Sequence, residues 1–117
     1  MNAANTHARI PDQAARARRE FIRWLVLLAA NINRPVHSTP AFLLQVIRAE
    51  YPDLSTLELR RELDYLESRK LLVIHSDPLN NIRIELTRDG VDVAEYTVDV
   101  EAGIMRPPYV SGFTNGG

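Results

Sequence analysis

The chain has 117 residues, 45% of them hydrophobic and 25% charged, with a net charge of −1 and no cysteine. This is the composition of one ordinary globular domain. It excludes disulfides, thiol catalysis and cysteine-ligated metal, and the near-neutral balance excludes a surface that wraps polyanions in general. The charge is uneven, however. Residues 1–60 carry eight Arg against five acids, a balance of +3, and residues 61–117 carry six basic residues against ten acids, a balance of −4. A local basic face is therefore expected in the first half. Residues 1–11 are expected to be a flexible N-terminus, 12–100 the folded domain, and 101–117, rich in Pro, Gly, Ser and Asn, a flexible tail.

Arg18-Arg19-Glu20-Phe21-Ile22-Arg23 followed by Trp24-Leu25-Val26-Leu27-Leu28-Ala29-Ala30 has the outline of a twin-arginine export signal. The apolar stretch is too short to span a membrane. The competing reading, which we take as the expectation, is an amphipathic first helix from about Asp12 to Ile32. Phe21, Trp24 or Leu25, Leu28 and Ile32 would face the core, and Arg16, Arg19 and Arg23 would face water. Asn33-Arg34-Pro35 ends it, because a residue before proline is pushed out of the helical region. Ser38-Thr39-Pro40 then supplies a hydroxyl cap and a proline at the first helical position, so a second helix is expected to about Glu50, burying Phe42, Leu43, Val46 and Ile47.

Ser55 with Glu58 three residues on forms a capping box, and Leu59, Leu63 and Leu66 recur at helical spacing, which predicts a third helix over 55–69. Arg69 and Lys70 would complement its C-terminal dipole. Leu71 to Ile74 is an apolar, partly β-branched run, Asp77-Pro78-Leu79-Asn80-Asn81 is turn chemistry, and Ile82, Ile84 and Leu86 alternate with Arg83 and Glu85 as in a half-buried strand. Thr87-Arg88-Asp89 opens a fourth helix to about Tyr96, acidic through Asp89, Asp92 and Glu95, and Thr97 to Val100 alternates in period two as a short extended piece does. The fold class expected is α+β, mostly α: a three-helix core, a β-hairpin wing and an additional C-terminal helix, in other words a winged helix-turn-helix.

This order, with Leu86-Thr87-Arg88-Asp89-Gly90 after the hairpin, resembles winged helix-turn-helix regulators of the MarR/PadR/ArsR sort, in which a Leu-Thr-x-x-Gly sequence opens the helix after the wing. Gly90-Val91-Asp92-Val93-Ala94 and Gly103-Ile104-Met105-Arg106-Pro107 are also similar to strings in small winged-helix proteins of Mu-like phages and prophages. The resemblance covers about residues 12–100. It implies a cytoplasmic bacterial or phage protein that regulates transcription by binding double-stranded DNA.

On that reading the third helix enters the major groove, with Ser55 at its N-terminus and Thr56, Arg60, Arg61 and Asp64 or Tyr65 outward. An arginine suits a guanine edge, and a hydroxyl or a helix N-terminus suits a phosphate. Asn80, Asn81 and Arg83 of the wing at 77–83 would touch the backbone or minor groove, and Arg34 and Thr39 would contact phosphate. A homodimer is expected, since one small module has limited affinity. Against this, Glu58, Glu62, Asp64 and Glu67 balance Arg60, Arg61, Arg69 and Lys70, whereas a groove reader needs cations to displace counterions. The alternative is a winged helix serving as a protein-interaction module in a phage or host assembly, through the acidic fourth helix or the tail with Pro107, Pro108, Tyr109 and Phe113. No membrane partner is expected. Nor is catalysis, a metal or a cofactor: His7, His37 and His75 stand far apart without metal-ligand spacing, the His75-Ser76-Asp77 adjacency is no triad, and the five glycines begin only at Gly90. His75 is expected to be a strand-end residue with no chemistry.

Overall fold

The computed structural model describes residues 3–109. It is α+β and mostly helical, in the order α1 (Ala3–Ile32), α2 (Pro40–Ile47), α3 (Thr56–Ser68), β1 (Leu72–Ser76), β2 (Ile82–Leu86) and α4 (Arg88–Ala94). The caps read from sequence form. Thr39 accepts from the amide of Phe42, Ser55 from that of Glu58 and Thr87 from that of Gly90, at 3.1, 3.0 and 3.1 Å, each satisfying a free donor in a first turn. Only half of the capping box at Ser55 is made, because the Glu58 carboxylate is drawn away to Arg18 of α1 in a bidentate pair at 2.7 and 2.9 Å.

α1 begins at Ala3, well before Asp12, and carries Pro11 within it. It packs against α2, α3, α4 and β2, and this central position changes its buried face. From Phe21 to Ala30 every side chain is buried or half-buried, with Ile22, Val26 and Leu27 at 0% exposure, rather than one stripe as expected. A helix enclosed by neighbours on several sides hides more than one stripe. Ile32, expected in the core, is the last residue of α1 and is 74% exposed. Arg23, expected in water, is turned inward to α3. The segment that resembles an export signal is thus the middle of the core helix, and no helix among the described residues is long and apolar enough to cross a membrane.

Leu43 and Ile47 of α2, Leu59, Leu63 and Leu66 of α3, Leu72 and Ile84 of the sheet, and Val93 of α4 complete the core. α2 ends at Ile47, short of Glu50, and Val46 stays partly exposed. Arg69 and Lys70 lie past the end of α3. Lys70 has φ 64°, and the amides of Lys70 and Leu71 return to the carbonyls of Glu67 and Leu66 at 2.9 and 3.0 Å, a Schellman termination.

β1 and β2 pair antiparallel from Leu72↔Leu86 to Ser76↔Ile82. Asp77 organises the five-residue turn between them: its carboxylate accepts from the amides of Leu79 and Asn81 at 2.9 Å and from the Asn81 side chain at 3.0 Å. These hydrogen bonds hold the Asp77 carboxyl below its ordinary pKa. Asn80 takes the left-handed position, φ 63°, that asparagine tolerates. A third piece of extended chain joins the hairpin, since Ser38 exchanges two backbone hydrogen bonds with Ile84 at 3.0 and 2.7 Å.

α4 stops at Ala94, and Thr97 to Val100 is not a strand. The Thr97 amide returns to the Asp92 carbonyl at 3.0 Å and Tyr96 turns left-handed at φ 63°. The first part of the expected tail packs. Ile104 is buried, the Met105 amide reaches the Glu20 carbonyl at 3.1 Å, and Arg106 donates to the carbonyls of Val93 and Val98 while lying over the Tyr96 ring. Proline- and glycine-rich composition removes regular structure there without removing packing. Phe113 and the rest of 110–117 lie outside the described residues.

Candidate nucleic-acid interface

The outward side of α3 is built by what its inward side consumes. Glu62 is buried and pairs with Arg23 at 2.7 Å. Glu58 pairs with Arg18, which also reaches Asp53 at 3.1 Å. Glu67 accepts the amide of Ile74 in β1 at 2.8 Å. Two of the four carboxylates on the helix are therefore paired with arginines of α1, while Glu67 stays exposed and keeps its charge. The fourth, Asp64, holds Arg60 at 2.9 Å, one turn along the helix. What remains outward includes Thr56, Leu57, Arg60, Arg61, Asp64 and Glu67, all exposed. Arg60 and Arg61 balance Asp64 and exposed Glu67, so the exposed side is neutral, whereas Thr56–Ser68 as a whole, with two arginines and four acids, carries −2.

Outside the hairpin turn and Arg83, the expected contact residues fall into three groups. Pro40, Thr56, Arg60 and Ile82 line one small depression, so the start of α2, the face of α3 and the turn end of the hairpin share a surface, with Thr39 beside Pro40. Arg61 lies on the other flank of α3, with Arg19 and Leu57, in a depression against α1. Arg34 stands apart, with His37, Glu85 and Leu86 near the opposite end of β2; its guanidinium donates to Asn31 at 3.3 Å. Thr39 and Ser55 use their hydroxyl oxygens as caps. Asn81 spends its side-chain amide on Asp77, and Asn80 accepts from Ser76 at 3.4 Å, so turn geometry accounts for both asparagines. Arg61 and Arg83 are exposed and have no ion-pair partner among the described residues.

One cluster escaped the sequence reading. His37, His75 and Glu85 offer three ligand atoms that all lie within 4.8 Å of one another. Nε2 of His75 stands 2.9 Å and Nε2 of His37 3.7 Å from the same Glu85 oxygen, and the imidazoles meet edge to face with centroids 6.0 Å apart. The His75 hydrogen bond, then the charge of His37, holds the Glu85 carboxyl below its ordinary pKa. Strand alternation places His75 and Glu85 on one face. Nothing in the spacing of residue 37 announces that a two-residue bridge adds it to them.

No family model matches the chain, and no curated protein is significantly similar to it.

Proposed function

We propose that this protein is a DNA-binding winged helix, a transcriptional regulator of bacterial or phage origin, that lays α3 in the major groove and sets the hairpin at 77–83 on the backbone or minor groove. The order of elements suits that fold: three helices, a hairpin, and a short extended piece between α1 and α2 that pairs with β2 at Ser38 and Ile84. The observation that carries the reading is the pairing of Glu58 and Glu62 with Arg18 and Arg23 of α1, which takes two carboxylates off the outer side of α3 and leaves Thr56, Arg60 and Arg61 on an open surface, Thr56 and Arg60 beside the turn end of the hairpin. Arg61 and Arg83 act as phosphate contacts. Arg60 must exchange Asp64 for a base edge or a phosphate, an exposed i,i+4 pair being worth only about 0.3–0.5 kcal/mol.

The alternative reading, a protein-interaction module, draws support from Asp64 at the centre of that face and from Leu57, which is 62% exposed beside Arg61. A salt series of anisotropy measurements on labelled random duplex separates the two. For a DNA reader, affinity falls steeply with salt, and Arg61→Ala and Arg83→Ala each weaken binding and lower the log–log salt slope by about 1. No binding at low salt, or an unaltered slope in both variants, overturns the proposal and leaves the protein-interaction reading.

A further inference from the structure

The hairpin and the loop before α2 converge on a second surface that owes nothing to the α3 face. Ser38 pairs with Ile84, which sets His37 across from Glu85; Val73 is opposite Glu85 and Arg83 opposite His75. Alternation along the strands sends Ile84 into the core and puts His75, Arg83 and Glu85 on the outer face. His75 and Glu85 are diagonal neighbours across the pair, a separation long side chains bridge. Three segments that are distant in sequence therefore present two imidazoles and one carboxylate in a row.

We propose that His37, His75 and Glu85 form a binding site for a borderline transition-metal cation of the zinc type, held by the two Nε2 atoms and a Glu85 oxygen. Imidazole nitrogens with one carboxylate suit zinc and its neighbours, whereas magnesium and calcium take oxygen ligands. Ligands about 2.1 Å from a tetrahedral zinc stand about 3.4 Å apart. The two nitrogen–oxygen separations, 2.9 and 3.7 Å, bracket that edge, and the remaining distance is within 4.8 Å. The side chains are 40%, 39% and 55% exposed, so the fourth position opens to water. Three protein ligands and a water are the composition of an open zinc site.

Two cations temper the affinity. Arg83 shares the face, opposite His75, and Arg34 lines the same depression as His37 and Glu85. Micromolar rather than tighter binding is therefore expected. The consequence is mechanical: an ion here staples β1 and β2 to the loop before α2. This inference stands apart from the DNA reading and survives its failure.

The test is calorimetric titration of the tag-free, chelator-treated full chain with zinc chloride, alongside thermal melts with and without zinc. One equivalent bound at micromolar zinc, with a rise in Tm, is expected. His37→Ala, His75→Ala and Glu85→Gln each weaken binding at least about tenfold, in line with loss of a ligand, and cancel the rise in Tm. His7→Ala, at the one histidine of the sequence that is not a proposed ligand, leaves both unchanged. All three ligand positions are partly exposed, so these variants fold, and circular dichroism checks it. No binding below millimolar zinc, undiminished binding in the His37→Ala and His75→Ala proteins, or loss of binding in His7→Ala each overturns the proposal.

Discussion

Arg23 and Glu62 meet at 2.7 Å between α1 and α3, with side chains only 12% and 4% exposed. The same guanidinium lies 3.6 Å from the centroid of the Tyr65 ring and donates to the Gly103 carbonyl at 2.8 Å. One side chain thus ties the central helix to α3 and to the chain that returns after α4. Removing one member of a buried pair strands the other, at a cost of roughly 3–5 kcal/mol, while replacing both with apolar groups often restores much of it. Glu62→Leu is expected to lower unfolding stability by about that amount, and Arg23→Met/Glu62→Leu to recover a substantial part. Urea unfolding of the single and double variants checks this; losses that simply add would show that the pair is not coupled.

Gly90 shows why the Leu-Thr-x-x-Gly string needs its last residue. Thr87 caps the amide of Gly90 and donates its own hydroxyl to the Lys70 carbonyl at 2.8 Å, which draws the first turn of α4 down onto the entry to β1. A Cβ on Gly90 would collide with the backbone carbonyl oxygen of Leu71, an atom that accepts from the Thr87 amide and cannot swing aside. Gly90→Ala is therefore expected to cost about 1–3 kcal/mol or more, as overpacking does. A midpoint in thermal or urea unfolding equal to that of the parent would contradict the close approach.

The parts of this fold that were legible in sequence are those decided within a few residues. Thr39, Ser55 and Thr87 cap their helices because each hydroxyl reaches an amide three positions on. The register of the hairpin follows from Asp77 and Asn80 in the turn and from alternation at Ile82, Ile84 and Leu86. Which carboxylates of α3 are taken up by α1 was not legible. Whether Glu58 and Glu62 face water or the core depends on Arg18 and Arg23, 40 and 39 residues away, and glutamate on a helix is ordinarily solvated. The same holds for His37 and His75. A bridge as short as Ser38 to Ile84 leaves no periodic trace, yet it assembles the cluster. The packing of Ile104 likewise needs the groove beside α1 to exist first.

Tyr51 carries a prediction for alkaline pH. Its ring meets Phe21 edge to face at 6.3 Å and lies under the Arg18 guanidinium at 4.9 Å. Burial first, then the charge of Glu50, pushes its pKa above the ordinary 10.0, with Arg18 opposing. A phenol whose folded pKa is raised favours the neutral form in the fold. Its contribution is fully present below pH 10 and is lost as pH rises through the folded value. Melting temperature followed from pH 9 to pH 11 is expected to fall more steeply for the parent than for Tyr51→Phe, which has no proton to lose there. Parallel curves would mean that the phenol is not held neutral by the fold.

Both α3 and α4 end on a residue other than glycine in the left-handed region, Lys70 and Tyr96. Tyr96 has reasons to stay: its hydroxyl donates to the Pro107 carbonyl at 2.6 Å, and its ring packs edge to face on Trp24. Lys70 is exposed, with no hydrogen bond or ion pair through its side chain among the described residues. A left-handed φ costs an L side chain roughly 1–2 kcal/mol, and glycine escapes that cost while giving back part of it in unfolded-state entropy. Lys70→Gly is therefore expected to stabilise the protein by about 0.5–1 kcal/mol. The gain should appear as a higher urea midpoint at unchanged m-value, because the surface exposed on unfolding stays the same. Lys70→Val, forcing a β-branched side chain into the same φ, should move the midpoint the other way. If glycine and valine shifted it alike, the strain would not reside in this backbone position.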